Sequence, residues 1–333
     1  MRDDTQSNVS GLDEGFFADV RGLEQWVSIR GRNRSNPALL IIPGPGAGLT
    51  RMAPFFAPWE QDYTLVQWDQ PRAGATLAKL GIEKTGEYSF ERIARDGIAV
   101  AELVCRRLGL SKIALLCMSA GSITGLMIVK SRPDLFSAYV AVGQIVNWAR
   151  QDVLSYHMVL EQARAAGNQA AITELESIGS PPYADSATDA VKSKYAGALT
   201  AAEQGTFASL DPSVMGAVMS PPPDASYLPA GLPLGDMRTE AMAAYTAIRS
   251  DLVAFDARSL GLDFAVPMFF LQGDADAMTV SSEVRSYASD LRAPAKAFVS
   301  LEGGGHSVWF MRDAFLKALN EHVRPALTSQ TGN

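Results

Sequence analysis

The segment from Lys112 to Val129 constrains the fold of this chain more than any other. An apolar, β-like run, Lys112-Ile113-Ala114-Leu115-Leu116, leads directly into Cys117-Met118-Ser119-Ala120-Gly121. A helix-like run, Ser122-Ile123-Thr124-Gly125-Leu126-Met127-Ile128-Val129, follows without a break. A small residue, any residue, Ser, any residue and Gly, set between a strand and a helix, is the pattern of a nucleophile elbow. The sharp turn lifts the Ser hydroxyl above the sheet edge. The helix behind it brings backbone N–H groups and a positive dipole end to any oxyanion that forms there. Cys117 stands where such elbows usually carry Gly, and its small side chain suits the crowded position.

Other apolar runs repeat this arrangement. Ala38–Ile42 ends at Pro43-Gly44-Pro45-Gly46, and Thr64–Trp68 ends at Asp69-Gln70-Pro71. Ala138–Val142, Val266–Gln272 and Lys296–Leu301 are further short apolar strands, and Gln25–Arg30 alternates as a half-exposed strand does. Ser89 is a plausible N-cap for a helix reaching Leu108, whose apolar residues recur near helical spacing. Fully apolar strands joined by helices predict a mostly parallel, twisted sheet with helices on both faces. Between 146 and 255 the pattern is helical, interrupted by Pro181-Pro182-Tyr183, Pro221-Pro222-Pro223 and a Gly/Pro-rich stretch over 229–235. The reading is therefore a core over 21–145 and 256–325, a helical cap inserted over 146–255, a flexible N-terminus over 1–20 and a disordered tail over 326–333.

Composition removes several classes of function. With 333 residues, of which 47% are hydrophobic, the chain can bury a large core. Its net charge of −7 and lack of a Lys/Arg cluster argue against nucleic acid as a partner. No apolar run is long enough to span a bilayer, and the polar start of the chain lacks the core of a signal peptide. Two cysteines, Cys105 and Cys117, give no disulfide framework, so a cytoplasmic location is expected. Three scattered histidines and no cysteine pair at ligand spacing predict no metal site, and no cofactor is required by the chemistry below.

Ser119, Asp276 and His306 each sit just past the end of an apolar strand. Reactive groups gather at that carboxyl edge in parallel sheets, so residues distant in sequence can converge there. The order Ser, Asp, His is the order of α/β-hydrolase triads. A Ser hydroxyl is a weak nucleophile until a base takes its proton, and His suits that task near neutral pH. An acid behind the His fixes its tautomer and stabilises the imidazolium. Asp274 competes for the last role; Asp276 is preferred because the loop needs room to turn back. Gly303-Gly304-Gly305 reads as a flexible, uncrowded loop presenting His306. His157 and His322 read as helix-surface residues.

Over roughly Gly22 to Val323 the chain resembles the proline iminopeptidase-like branch of the α/β-hydrolases. The resemblance rests on Gly22-Leu23-Glu24-Gln25-Trp26, Pro43-Gly44-Pro45-Gly46, Trp68-Asp69-Gln70-Pro71 and the Ser119 elbow. Leu154-Ser155-Tyr156 and Pro181-Pro182-Tyr183 in the cap are similar too. The resemblance implies an α/β-hydrolase fold and a small-molecule or short-peptide substrate, an amide, peptide or ester. It also implies an oxyanion hole made by the N–H of Ala120 and a second donor from the Pro43–Gly46 loop. An ungapped match to the family's HGGPG loop puts Pro45 at that second position, and Pro has no N–H to donate; a one-residue shift puts Gly44 there. Met118 and Ala120 replace bulkier residues frequent in the family, so Pro45, Met118 and Cys117 are expected around a roomy, apolar pocket. Aminopeptidase members hold the substrate's amino group with cap carboxylates. None of Asp152, Glu161, Glu174, Glu176, Glu203 and Glu240 matches that motif, and each reads as a solvated helix face. The altered loop leaves two further readings open, a lyase or acyl transferase on the same scaffold and a catalytically weak ligand-binding homologue.

Overall fold

The structure, a computed structural model, describes residues 11–328. Eight strands form one sheet in the order β1-β2-β4-β3-β5-β6-β7-β8. These are β1 (Leu12–Val20), β2 (Leu23–Gly31), β3 (Ala38–Ile42), β4 (Thr64–Asp69), β5 (Ile113–Met118), β6 (Phe136–Val142), β7 (Met268–Gly273) and β8 (Lys296–Leu301). β1 pairs antiparallel with β2, and β2 antiparallel with β4; every other pairing is parallel. β3 to β7 are buried along their whole length, which accounts for their predominantly apolar sequences.

Helices α1 (Ala53–Phe56), α2 (Gly74–Leu80), α3 (Phe90–Leu108) and α4 (Gly121–Ser131) come before the insertion. Ser89 caps α3 by accepting from the Arg92 N–H, and Gly109, in the left-handed region, ends it. Between β6 and β7 lie α5 (Trp148–Ala165), α6 (Gln169–Ile178), α7 (Ser186–Ala196), α8 (Ala201–Ala208), α9 (Pro212–Met219) and α10 (Met237–Ala254), with no strand among them. The closing elements are α11 (Ser281–Asp290), α12 (Arg312–Ala318) and α13 (Arg324–Thr328). One apolar core joins α3, α4 and α11 to one sheet face, and a second joins α1 and α12 to the other. A third, smaller core holds α5, α6 and α7 together and includes Ala277 of the loop after β7.

Three expectations need correction. Residues 12–20, read as flexible, form the edge strand β1, joined to β2 by a tight turn with Arg21 and Gly22 both at positive φ. Residues 1–10 lie outside the described residues, as do 329–333 of the supposed tail, whereas 326–328 are helical. Cys117 does not border the pocket. Successive strand residues face opposite sides, so Met118 faces one core while Cys117 is buried in the other, beneath α4. Burial pushes its thiol far up, leaving it an unreactive packing group.

Gly125 shows how tightly α4 lies on β5: a Cβ there would stand 2.2 Å from Cys117 Sγ. Gly125→Ala is expected to destabilise the protein by about 1–3 kcal/mol through overpacking. Adding Cys117→Ala should recover much of that loss. Additive effects of the two substitutions in denaturant unfolding would contradict this contact.

Candidate active site

Ser119 stands between β5 and α4 with φ 51°. For a residue with a Cβ, that left-handed conformation costs on the order of 1–2 kcal/mol. It survives because its surroundings fix it. The Ser119 N–H donates to Val142 O at 2.8 Å, and the Ser122 N–H donates back to Ser119 O at 2.8 Å. Gly121 is required next to it, since a Cβ there would lie 2.2 Å from Ile42 O and 2.6 Å from Pro43 O. This close approach seats the start of α4 against the loop after β3.

His306 Nε2 lies 2.9 Å from Ser119 Oγ, and His306 Nδ1 lies 3.2 Å from Asp276 Oδ2. The structure thus brings together the three residues singled out in the sequence. Asp274 is elsewhere, accepting from the Gly303 N–H. His157 and His322 are exposed. Asp276 is only 1% exposed. Besides His306 it accepts from Gln272 Nε2 at 2.7 Å, Thr279 Oγ1 at 2.6 Å and the N–H groups of Met278 and Thr279 at 2.8 Å each.

Burial opposes ionisation of Asp276, but the neighbouring His306 and the hydrogen bonds outweigh it and hold the carboxyl below its ordinary value. Burial likewise opposes the imidazolium of His306. The charge and hydrogen bond of Asp276, with the charge of Glu203, prevail and raise it above 6.5.

Two groups around His306 escaped the sequence reading. Glu203, read as a solvated helix face, is 0% exposed. It completes a capping box with Thr200 at the start of α8, and its Oε1 accepts from the Gly305 N–H at 2.9 Å. The Thr200…Glu203 spacing was a visible signal for the cap, but not for the contact with a loop a hundred residues away. Gly143, at φ 64° just after β6, is the second: a Cβ there would stand 2.9 Å from His306 Cε1. The glycines before His306 also serve differently from expectation. Gly304 and Gly305 are buried, and the loop is crowded. A Cβ at Gly304 would meet Val308 Cγ2 at 2.3 Å, and one at Gly305 would meet Glu203 Oε2 at 2.8 Å. Close approach, not flexibility, requires these residues.

Across from Ser119 lies the Pro43–Gly48 loop. Gly44 faces Ala120, with its Cβ position 4.0 Å from Ala120 N. Among the described residues the N–H groups of Gly44 and Ala120 donate to no protein acceptor. The Trp68-Asp69-Gln70 motif holds this loop from below. Gln70 Nε2 donates to Pro43 O, and Asp69 accepts from Thr50 Oγ1 at 2.7 Å and the Ala75 N–H at 2.8 Å. Burial pushes Asp69 up to about 6 despite those bonds. On the outer side, Gly46 lies against α10, where a Cβ would be 2.5 Å from that of Ala244.

A cavity of about 910 Å³ opens over Ser119, lined by Gly44, Pro45, Met118, Ala120 and His306 and roofed by residues of α5, α7 and α10. Pro45 and Met118 border it as the sequence predicts. Among the described residues no helix is long and apolar enough to cross a membrane.

No protein-family model matches the chain. It is 24% identical over 318 residues to a probable aminopeptidase of Bacillus subtilis, covering 92% of this chain and 94% of that one. Among solved structures it is similar to a proline iminopeptidase-related protein from Thermus thermophilus, with TM-score 0.61 and 17% identity over 95% of this chain and 98% of the other. It is also similar to a thermophilic esterase from Thermogutta terrifontis, with TM-score 0.55 and 16% identity over 94% and 98% of the two chains. The resemblance read from the sequence is borne out in these likenesses.

With three histidines in the chain, two of them exposed, the His306 ring can be followed by NMR. His306 is expected to titrate above 6.5. Glu203→Gln removes a negative charge that favours the imidazolium and should lower that value. An unchanged titration in the variant would show that the charge of Glu203 does not reach the ring.

Proposed function

We propose that this chain, whose fold is that of the α/β-hydrolases, is a serine hydrolase acting on a small amide, peptide or ester through an acyl-enzyme. The observation that carries this reading is the 2.9 Å contact between His306 Nε2 and a Ser119 held at positive φ above the sheet edge. His306 takes the Ser119 proton as Oγ attacks the carbonyl carbon. Asp276 holds Nδ1–H and offsets the charge of the imidazolium. The developing oxyanion meets the free N–H groups of Ala120 and Gly44, the latter supplying the donor that Pro45 lacks. His306 then protonates the leaving group, and water, activated by the same imidazole, releases the acyl group. The apolar lining contributed by Pro45, Met118, Ala120 and Trp309 suits an apolar acyl side.

The altered Pro43–Gly46 loop favours, as a second reading, a lyase or acyl transferase on the same scaffold. A fluorophosphonate probe separates the hydrolytic reading from a lyase, and release of the acyl group to water instead of a second acceptor separates it from an acyl transferase. On the hydrolytic reading the probe labels Ser119, and His306→Ala abolishes labelling. Ser119→Ala lowers kcat by at least about 10³-fold on any ester or amide turned over. Because His306 must be neutral to accept the proton, kcat/KM should rise with pH through an ionisation above 6.5. Intact, folded protein that gives no Ser119 adduct would sink the hydrolytic reading.

A further inference from the structure

The wall of the cavity farthest from the sheet carries a charge pattern that the hydrolytic chemistry does not use. One face of α10 lines it, with Arg238, Ala241, Met242, Tyr245, Thr246 and Arg249. Their spacing is that of a single helical stripe, so both guanidinium-bearing residues share a face. Facing them from α7 are Asp189, Lys192 and Lys194.

The partners of these charges differ. Lys192 is buried and paired with Asp152 of α5, with Asp189 3.8 Å away. Lys194 is tied to Glu174 and Tyr195. Arg249 is half-buried and, among the described residues, makes no hydrogen bond or ion pair. Its charge is nevertheless felt on the cavity wall: after burial, it is the force that depresses Lys192 to about 8. It also favours the ionised form of Asp189, although burial leaves that carboxyl raised.

A guanidinium with five unmatched donors beside an apolar cavity is suited to a planar oxyanion that can be gripped by two parallel bonds. The cap carboxylates that would have welcomed an ammonium group are committed elsewhere. Asp152 pairs with Lys192, Glu174 with Lys194, Glu176 with Arg164, Glu203 with the Gly305 N–H and Glu240 with the Gly74 N–H. Glu161 is exposed and does not line the cavity. Asp189 is the one carboxylate in the lining, among three lysine and arginine neighbours on the same wall and Arg238 at its rim.

Geometry sets the reach. Ala241 packs against Gly46 of the loop facing Ser119. Arg249, eight residues further along α10, is about 12 Å away along the helix axis. We propose that Arg249 binds a carboxylate borne by the substrate at the end of the cavity remote from the scissile carbonyl, so that the preferred substrates are esters or amides carrying a second, anionic carboxyl group. This rests on the hydrolytic reading for the reaction but not for the binding. It sets the chain apart from enzymes that recognise a free amino group.

The test uses the full chain and two readouts. Calorimetry compares hexanoate with hexanamide, which differ chiefly in charge. Wild type is expected to bind hexanoate more tightly. Arg249→Met, which keeps much of the side-chain volume and removes the charge, should weaken hexanoate binding by roughly tenfold or more and leave hexanamide unchanged. Arg238→Met, at the exposed rim, should keep the preference, and an unaltered melting temperature certifies each fold. Kinetics then compare the mono-p-nitrophenyl ester of adipic acid with p-nitrophenyl hexanoate. Wild type should favour the anionic ester, and Arg249→Met should abolish that preference with the neutral ester's kcat/KM within about twofold. Equal binding of acid and amide by wild type, or a preference that survives Arg249→Met, overturns the proposal. Calorimetric preference lost in Arg249→Met, without turnover of either ester, supports the anion site and counts against the hydrolytic reading. Turnover of both esters at equal kcat/KM removes the anion site and leaves the hydrolytic reading in place.

Discussion

The approach of Gly121 to the end of β3 is the contact on which the site depends. With no side chain at 121, the first turn of α4 sits against Ile42 O and Pro43 O at distances that exclude any Cβ. That contact puts the Ala120 N–H beside Gly44 and leaves Ser119 no room for an ordinary backbone conformation. The strain at Ser119 is thus a consequence of packing two parallel strands and one helix as tightly as their backbones allow. The sheet supplies what resists it: β5 is hydrogen-bonded on both sides, to β3 and β6, and is wholly buried. A turn following an edge strand or in an exposed loop would relax instead of holding the hydroxyl in place.

The helical insertion reaches deeper into this machinery than a lid would. Glu203 of α8 fixes the Gly305 N–H, one residue before His306, and its carboxylate charge bears on the ring. Ala277, one residue after Asp276, is part of the small core formed by α5, α6 and α7. α10 packs on Gly46 of the loop that carries Gly44. The insertion therefore touches the loops after β3, β7 and β8, which carry Gly44, Asp276 and His306. A displacement of these helices would disturb His306, the loop after Asp276 and the loop carrying Gly44 together, the groups on which the proposed chemistry draws.

Much of this was legible because parallel strands buried on both faces must be apolar throughout, and the chemistry-bearing residues must follow them. That logic identified β3 to β7 and placed Ser119, Asp276 and His306 at one edge. It failed where burial is not written in residue type. β1 carries Asp13, Glu14 and Asp19 and ends in a charged turn, the composition of a solvated segment; as an antiparallel edge strand it needs only one covered face. Glu203 looks like any helix-surface glutamate until α8 is docked on the loop before His306. The resemblance implies a pocket position for Cys117, whereas the two-residue period of a strand sends it to the core opposite Met118. Gly303-Gly304-Gly305 signalled special backbone correctly, but glycine serves both mobility and close approach, and only the fold separates the two.

The surroundings of Asp276 decide how the proposed proton transfer is divided. A carboxylate that accepts from one imidazole, one amide, one hydroxyl and two backbone N–H groups has its lone pairs committed in the ionised form. Protonating it would set a new O–H against donors that cannot become acceptors, since the Met278 and Thr279 N–H groups are fixed. In the proposed reaction the proton taken from Ser119 would therefore stay on His306, with Asp276 acting through its charge and the direction of its hydrogen bond. Gln272 extends the same constraint: while its Nε2 donates to Asp276, its Oε1 accepts from the N–H of Gly143, the residue whose missing side chain makes room for the His306 ring. One amide thus orients Asp276 and anchors the backbone behind His306, so that the direction of the Asp276–His306 contact and the position of the ring are set by a single buried network.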